Sequence, residues 1–345
     1  MKKYLFLFAI ACQVYAVKAQ NSSETPYINK SLSSDDIQSV EAHTQGGSIL
    51  VKGGSAADAH IEVYVWGNNS NDNLSKDEIQ KRLNDDYTLD VSVSNHVLTA
   101  TAKAKHQMFN WRRSLNISFR IYVPVNVSTD LETSGGSITL GNLSGNEKFS
   151  TSGGSLHIQQ LTGKTIGSTS GGSIHVSDSK DFIDLSTSGG SIEASNCGGT
   201  IKLETSGGSL HLNNLTGTIK AGTSGGSAEG DNIQGDLSIH TSGSSIRLTN
   251  LACSLDASTS GAGINAEMTT LGKFIKLSTS GGHIDLQIPQ GKGINLDIDA
   301  GRIRTEALSN FSGSQGKGRM NGTLNGGGIP VTLSTSGGEV SLTTK

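Results

Sequence analysis

The sequence predicts an all-β protein, a single-stranded parallel β-helix of 18-residue rungs with an N-terminal α+β cap. Three observations predict it. First, Thr-Ser-Gly-Gly recurs every 18 residues from Thr133 through Thr151, Thr169, Thr187, Thr205 and Thr223, degenerates at Thr241 and Thr259, and returns at Thr279 and Thr335. A fixed period of this length is the mark of a solenoid. Second, apolar residues stand four and two positions before the threonine (Ile183 and Leu185, Ile201 and Leu203, Leu237 and Ile239) and five and seven positions after it (Ile138 and Leu140, Leu210 and Leu212). Both runs alternate, as strands with one buried face do. Third, the glycine pair between the runs suits a corner, being free to take positive φ without a Cβ clash. A unit this short cannot bury its own apolar face, so it must stack on its neighbours through parallel strand hydrogen bonds about 4.8 Å apart.

Taken in chain order, residues 1–19 read as a secretory signal: Lys2 and Lys3, an apolar stretch from Tyr4 to Val17, and Ala19 before Gln20. A lipoprotein signal ending at Cys12 is disfavoured, because Ala9 fills the place usually held by leucine and the apolar stretch runs on past the cysteine. A polar linker is expected over 20–34 and a capping region over 35–128. Within the cap, alternating strands (60–66, 88–93, 97–102, 117–123) surround one helix near 76–84, signalled by the capping box Ser75 and Glu78 and by Leu74 and Ile79 at staple positions. Tyr64 and Trp66 are expected in the core of that cap. The repeats then fill 129–303, a Gly-rich insertion 304–330, and a final rung 331–345. An open strand edge at the C-terminal end would offer a site for self-association.

Stacking turns alignment columns into ladders. Nine residues after each threonine stand Asn142, Gln160, Asp178, Asn196, Asn214, Asn232 and Asn250, which suit a repeated turn and can hydrogen-bond from rung to rung. A calcium β-roll is excluded because no acidic column follows the glycines, and a hexapeptide acyltransferase helix because the positions six after each inward residue are polar, as at Ser144, Thr162 and Lys180. The threonines should point inward beside the corner, which removes a flat ice-binding array.

Composition narrows the function classes further. The formal charge is −3 with interspersed signs, so no basic stripe calls for nucleic acid. No second apolar span of transmembrane length exists. The two cysteines past the signal, Cys197 and Cys253, lie about three rungs apart, too far for a disulfide at the rung spacing. Thiols, metal clusters, nucleophile motifs and phosphate loops give no positive sign of an enzyme, and no cofactor is expected.

At Phe119 to Gly136 the sequence FRIYVPVNVSTDLETSGG, followed by Ser137 and Ile138, resembles the family of exported β-strand-repeat proteins known as putative adhesins, a domain of unknown function related to the head GIN domain. The tail GRMNGTLNGGGIPVTLSTSGG looks like the ending of the same family in Bacteroidetes-type bacteria, whose signals often end in Ala-Gln, as Ala19 and Gln20 do here. The resemblance implies a right-handed helix, export to the periplasm, outer-membrane surface or extracellular space, and no catalytic residues to carry across.

Two candidate sites remain. The position six after each threonine faces outward and holds His157, His175, Glu193, His211, Glu229 and Arg247 on successive rungs, an ionisable stripe suited to a glycan or a metal ion. The same column would ordinarily be a solvated face making cross-strand pairs. Between two cap strands, Trp111 and Arg112 interleave aromatic and basic character, which suits carbohydrate or protein contact and equally suits packing onto the cap. The expected function is an exported, non-enzymatic adhesin-like or envelope-structural protein, binding a glycan or a cell-envelope protein; the alternative is a carbohydrate-active enzyme or metal-binding protein that uses the His/Glu column.

Overall fold

The computed structural model describes residues 25–68, 74–105, 113–306, 308 and 310–345. The signal-peptide segment, and Trp111 and Arg112, lie outside the described residues. The rest is all-β: every strand joins one continuous sheet wound into stacked parallel coils. Leu156 pairs with Ile138 on one side and Ile174 on the other; Ile192, Leu210, Ala228, Ile246 and Ile264 continue the same row. Alternation decides the faces. Ile174, Val176, Ile183 and Leu185 are buried, while His175 between the first two is exposed.

The parallel stack begins ahead of the regular repeats. Strand Ser39–Thr44 pairs with Ser128–Thr133, and Ile49–Gly54 pairs with Ile138–Thr151. Beyond them, Val97–Ala104 and Leu115–Pro124 extend the two faces in parallel. Antiparallel strands Tyr87–Ser94 and His60–Gly67 then cover those, and Ile28–Ser31 closes the second face. Switching from parallel to antiparallel ends the stacking pattern and blunts the edge. The helix Lys76–Asp86 packs here through Leu83; Ser75 Oγ accepts from the Glu78 amide at 3.2 Å. Only half of the capping box forms, because the Glu78 carboxylate turns to Arg82 at 2.7 Å. Tyr64 is buried beneath the Arg120 guanidinium, 4.3 Å from the ring centroid, but Trp66 is exposed. Residues 64 and 66 share the outer face of the strand, where the Arg120 guanidinium covers Tyr64.

Two expectations about the repeat are corrected. The Thr-Ser-Gly-Gly glycines do not take positive φ; two other columns do, the one nine after threonine, from Asn142 (φ 54°) to Asn250, and the one twelve after it at Gly163, Asp181, Gly199, Gly217 and Gly235. Glycine serves at the corner for a different reason. A Cβ on Gly154, Gly172, Gly190, Gly208 or Gly226 would lie 2.0–2.1 Å from a carbonyl oxygen of the preceding coil. The threonine exploits that closeness: Thr151 Oγ1 donates to Gly136 O at 2.8 Å and accepts from the Gly154 amide at 3.3 Å, and the pattern repeats along the stack. Each buried hydroxyl thereby knits two coils together. Asparagine side chains do the same at the other corner, Asn232 to Asn214 at 2.8 Å and Asn214 to Asn196 at 3.0 Å.

The second correction concerns the C-terminal end. The final strands Ile329–Thr335 and Glu339–Thr344 do not sit at an open edge. They lie between the coil ending Ile264–Thr279 and Ile284–Ile288 on one side and the strands Ile294–Asp299 and Arg302–Thr305 on the other. The chain thus threads its last repeat back into a slot one coil deep. Beyond it, the antiparallel hairpin Phe311–Gln315 and Arg319–Leu324 covers Ile294–Asp299. The last two strands in chain order are therefore interior, and the C-terminal end of the stack is formed instead by Arg302–Thr305 and the hairpin strand Phe311–Gln315. Among the described residues no helix is long and apolar enough to cross a membrane.

Candidate functional site

The stripe read from the sequence is brought together. His157 pairs with His175, His175 with Glu193, Glu193 with His211, His211 with Glu229, and Glu229 with Arg247, one residue per coil. Each lies between two inward residues, so the pleat presents it outward. The His157 and His175 rings are parallel, with centroids 5.3 Å apart and 3° between planes. His175 Nδ1 lies 3.1 Å from Glu193 Oε2, and His211 Nδ1 lies 3.5 Å from Glu229 Oε2. These side chains are about half exposed, which places the two pairs in the range of about 0–1 kcal/mol each. Stability is therefore not what the stripe contributes. Partial burial, and then the neighbouring His175, hold the His157 imidazole below its ordinary value.

The stripe borders a gutter. One hollow of about 480 Å³ lies over Gly141, between Lys52 and Thr139 at one end and His157, His175 and Glu193 at the other. A second of about 300 Å³ adjoins it, sharing Glu193 and Ser195 and running past His211 and Glu229 to Arg247. Small residues at Gly141, Ser177 and Ser195 keep the floor low. The result is an elongated, open, mixed-charge trough along the coils.

Two features were not readable from the pattern. A further polar hollow of about 420 Å³ lies between the serine columns that flank the buried threonines, with Glu204 and His240 on its walls. His240 lies across Gly222, where a Cβ would meet the imidazole at 2.2 Å. The other is in the core. Four before threonine, where later coils place Ile183, Ile201 and Ile219, stand Thr129, Glu147 and Thr165, all buried. Thr129 Oγ1 donates to Glu147 Oε2 at 2.6 Å, and Glu147 Oε1 and Thr165 Oγ1 have no partner. Burial pushes the Glu147 carboxyl up to about 7, against the smaller opposing effect of the threonine hydroxyl. The only sequence signal was a break in the apolar column. Cys197 and Cys253 are free and buried, and burial raises both thiols, Cys253 to about 12. A thiol held protonated is a poor nucleophile or ligand. Among the described residues no group of three or more His, Cys, Asp or Glu side chains is arranged to hold a metal ion.

Residues 227–343 match the Toastrack DUF4097 family. No curated protein matches the chain. Two solved structures are similar over most of its length. One is a putative cell adhesion protein from Clostridium sporogenes ATCC 15579, at 10% identity, covering 93% of this chain and 100% of that one, with a TM-score of 0.19. The other is a putative adhesin from Bacteroides fragilis NCTC 9343, at 12% identity, covering 92% and 96%, with a TM-score of 0.23. At these identities and TM-scores, the roles in those descriptions stay with those two proteins.

Proposed function

We propose that this chain, whose residues 227–343 match the Toastrack DUF4097 family, is an exported, non-enzymatic β-helical protein of the periplasm, outer-membrane surface or extracellular space. Its role is adhesin-like or envelope-structural, and its binding face is the outward stripe. The observation that carries the reading is the unbroken ladder from His157 to Arg247 beside a continuous gutter. A ladder repeats similar groups at the coil spacing of about 4.8 Å, which suits a ligand that is itself extended and repetitive, such as a glycan strand. Catalysis asks for the reverse, a few groups converging on one reacting atom.

The finer architecture belongs to the same proposal. Each 18-residue repeat is one coil of a right-handed helix, with the cap over 35–128, the regular repeats over 129–303, the Gly-rich insertion over 304–330 and the last coil over 331–345. Pairing partners 18 residues apart from Ile138–Thr151 through Ile246–Thr259 support the coil length, as with Leu210 and Ala228. The test is a glycan-array screen of the chain from residue 20 beside its His157, His175 and His211 triple alanine variant. We expect binding by the parent and loss in the variant; equal binding by both would remove the stripe from the site.

A further inference from the structure

The histidines of the stripe are not equivalent. His175 Nδ1 faces Glu193 Oε2 at 3.1 Å. A carboxylate can only accept, so in the neutral ring Nδ1 carries the proton and Nε2 keeps its lone pair. A carboxylate that fixes the tautomer in this way is what orients a histidine for a metal ion. Beside it on the preceding coil stands His157, its ring parallel at 5.3 Å and also on the open face. His211 Nδ1 stands farther from its carboxylate, 3.5 Å from Glu229 Oε2, and its neighbours on both coils are glutamates, Glu193 and Glu229. It has no second imidazole within one coil.

We propose that His157 and His175 together bind a divalent transition-metal ion through their Nε2 atoms, with Glu193 as the positioning residue. Metal–nitrogen bonds of about 2.0 Å require the two nitrogens to stand about 2.9 Å apart for the cis angle of a square-planar copper site. From a ring spacing of 5.3 Å the imidazoles must therefore lean together by roughly 2.4 Å, a side-chain rotation that the open trough on one side of the pair allows. Two imidazoles and a mixed set of hydroxyl and amide groups, Gln159 and Ser177 in the trough lining, favour Cu²⁺ first and Zn²⁺ less tightly. The remaining coordination positions face the trough and stay open to water or to a donor from a ligand lying there. The site does not depend on the glycan reading, because the ion is held by the chain's own side chains.

The test is calorimetric titration of the tag-free chain from residue 20 with Cu²⁺ alone, with folding checked by circular dichroism. His157→Ala and His175→Ala should each weaken Cu²⁺ binding by tenfold or more, and Glu193→Gln by about tenfold through loss of the tautomer lock. His211→Ala should leave it unchanged. In the Cu²⁺-loaded parent, electron paramagnetic resonance should show coupling to two imidazole nitrogens, reduced to one in either single variant. The proposal is overturned if the parent binds no Cu²⁺, if His211→Ala weakens binding as much as His175→Ala, or if two-nitrogen coupling survives in the His157→Ala variant. A failed glycan screen with intact Cu²⁺ binding would sink the glycan reading alone.

Discussion

Alanine at Gly190 and alanine at Gly189, adjacent residues of one corner, should have opposite consequences. At Gly190 the new Cβ would stand 2.1 Å from Gly172 O and 2.4 Å from Gly172 C, both backbone atoms of the preceding coil. Neither can move without parting the coils, and the same corner holds the Gly190 amide on Thr187 Oγ1 at 3.3 Å and Gly190 O under Thr205 Oγ1 at 2.7 Å. Overpacking against an unyielding neighbour costs about 1–3 kcal/mol, and one lost buried hydrogen bond adds about 1 kcal/mol, so the variant should lose about 2–4 kcal/mol. The degenerate coils show the second contribution. Among the described residues the amide-to-threonine bond forms at every glycine in this place, from Gly136 and Gly154 through Gly226 to Gly282 and Gly338, but Ser244 and Ala262, in the same place, do not make it, although Thr241 and Thr259 still reach the coil before them. At Gly189 the nearest atoms to a Cβ are 3.4 Å away, ordinary contact, and the backbone there is not left-handed. Restricting the unfolded chain then favours the variant by about 0.4–1 kcal/mol. Urea unfolding followed by circular dichroism measures both. Equal loss in the two variants, or a Gly190→Ala protein within 1 kcal/mol of the parent, would refute the reasoning.

Three further predictions share the same logic. Glu147 is more easily kept neutral in the folded chain than in the unfolded one, its value raised from 4.5 to about 7, so its contribution to stability is fully present below about pH 4.5 and is lost as pH rises through 7. That loss amounts to about 3 kcal/mol, and Glu147→Gln should remove it; a variant with the parent's pH slope between 5 and 8 would show that another group is responsible. Leu212→Asp should abolish folding, since Leu212 is 2% exposed and inward, whereas His175→Ala and His211→Ala should leave the melting curve nearly unchanged; similar damage from all three would contradict the inward and outward assignment. Asn214 holds φ 53°, so Asn214→Ala should cost about 1–2 kcal/mol and Asn214→Gly less, read from urea midpoints, and the reverse order would mean that the left-handed backbone is not what this position selects for.

What the sequence disclosed is what repetition discloses. Alternation around Thr187 or Thr205 marks inward and outward residues, and the period lines up the column from His157 to Arg247 before any coordinate is known. The helix after Ser75 was legible from its cap, because that signal is local. The last coil was not. Its alternation at Val331, Leu333, Val340 and Leu342 is that of every other coil, so nothing in the pattern tells whether it stacks on the strand before it in sequence or slips in beneath. Nor does the period tell why glycine stands at the corner, since positive φ and close approach call for the same residue. The pairing of His175 with Glu193 and the stacking of His157 depend on side-chain rotamers, which a column of letters does not carry.

The most direct test of the binding face is hydroxyl-radical footprinting of the chain with and without purified envelope polysaccharide. Protection concentrated on the segments carrying His157, His175 and His211, with the opposite face around Ser206 and His240 unchanged, is the predicted result. Protection of that opposite face or of the cap strands 60–67, with the stripe left fully reactive, would contradict it.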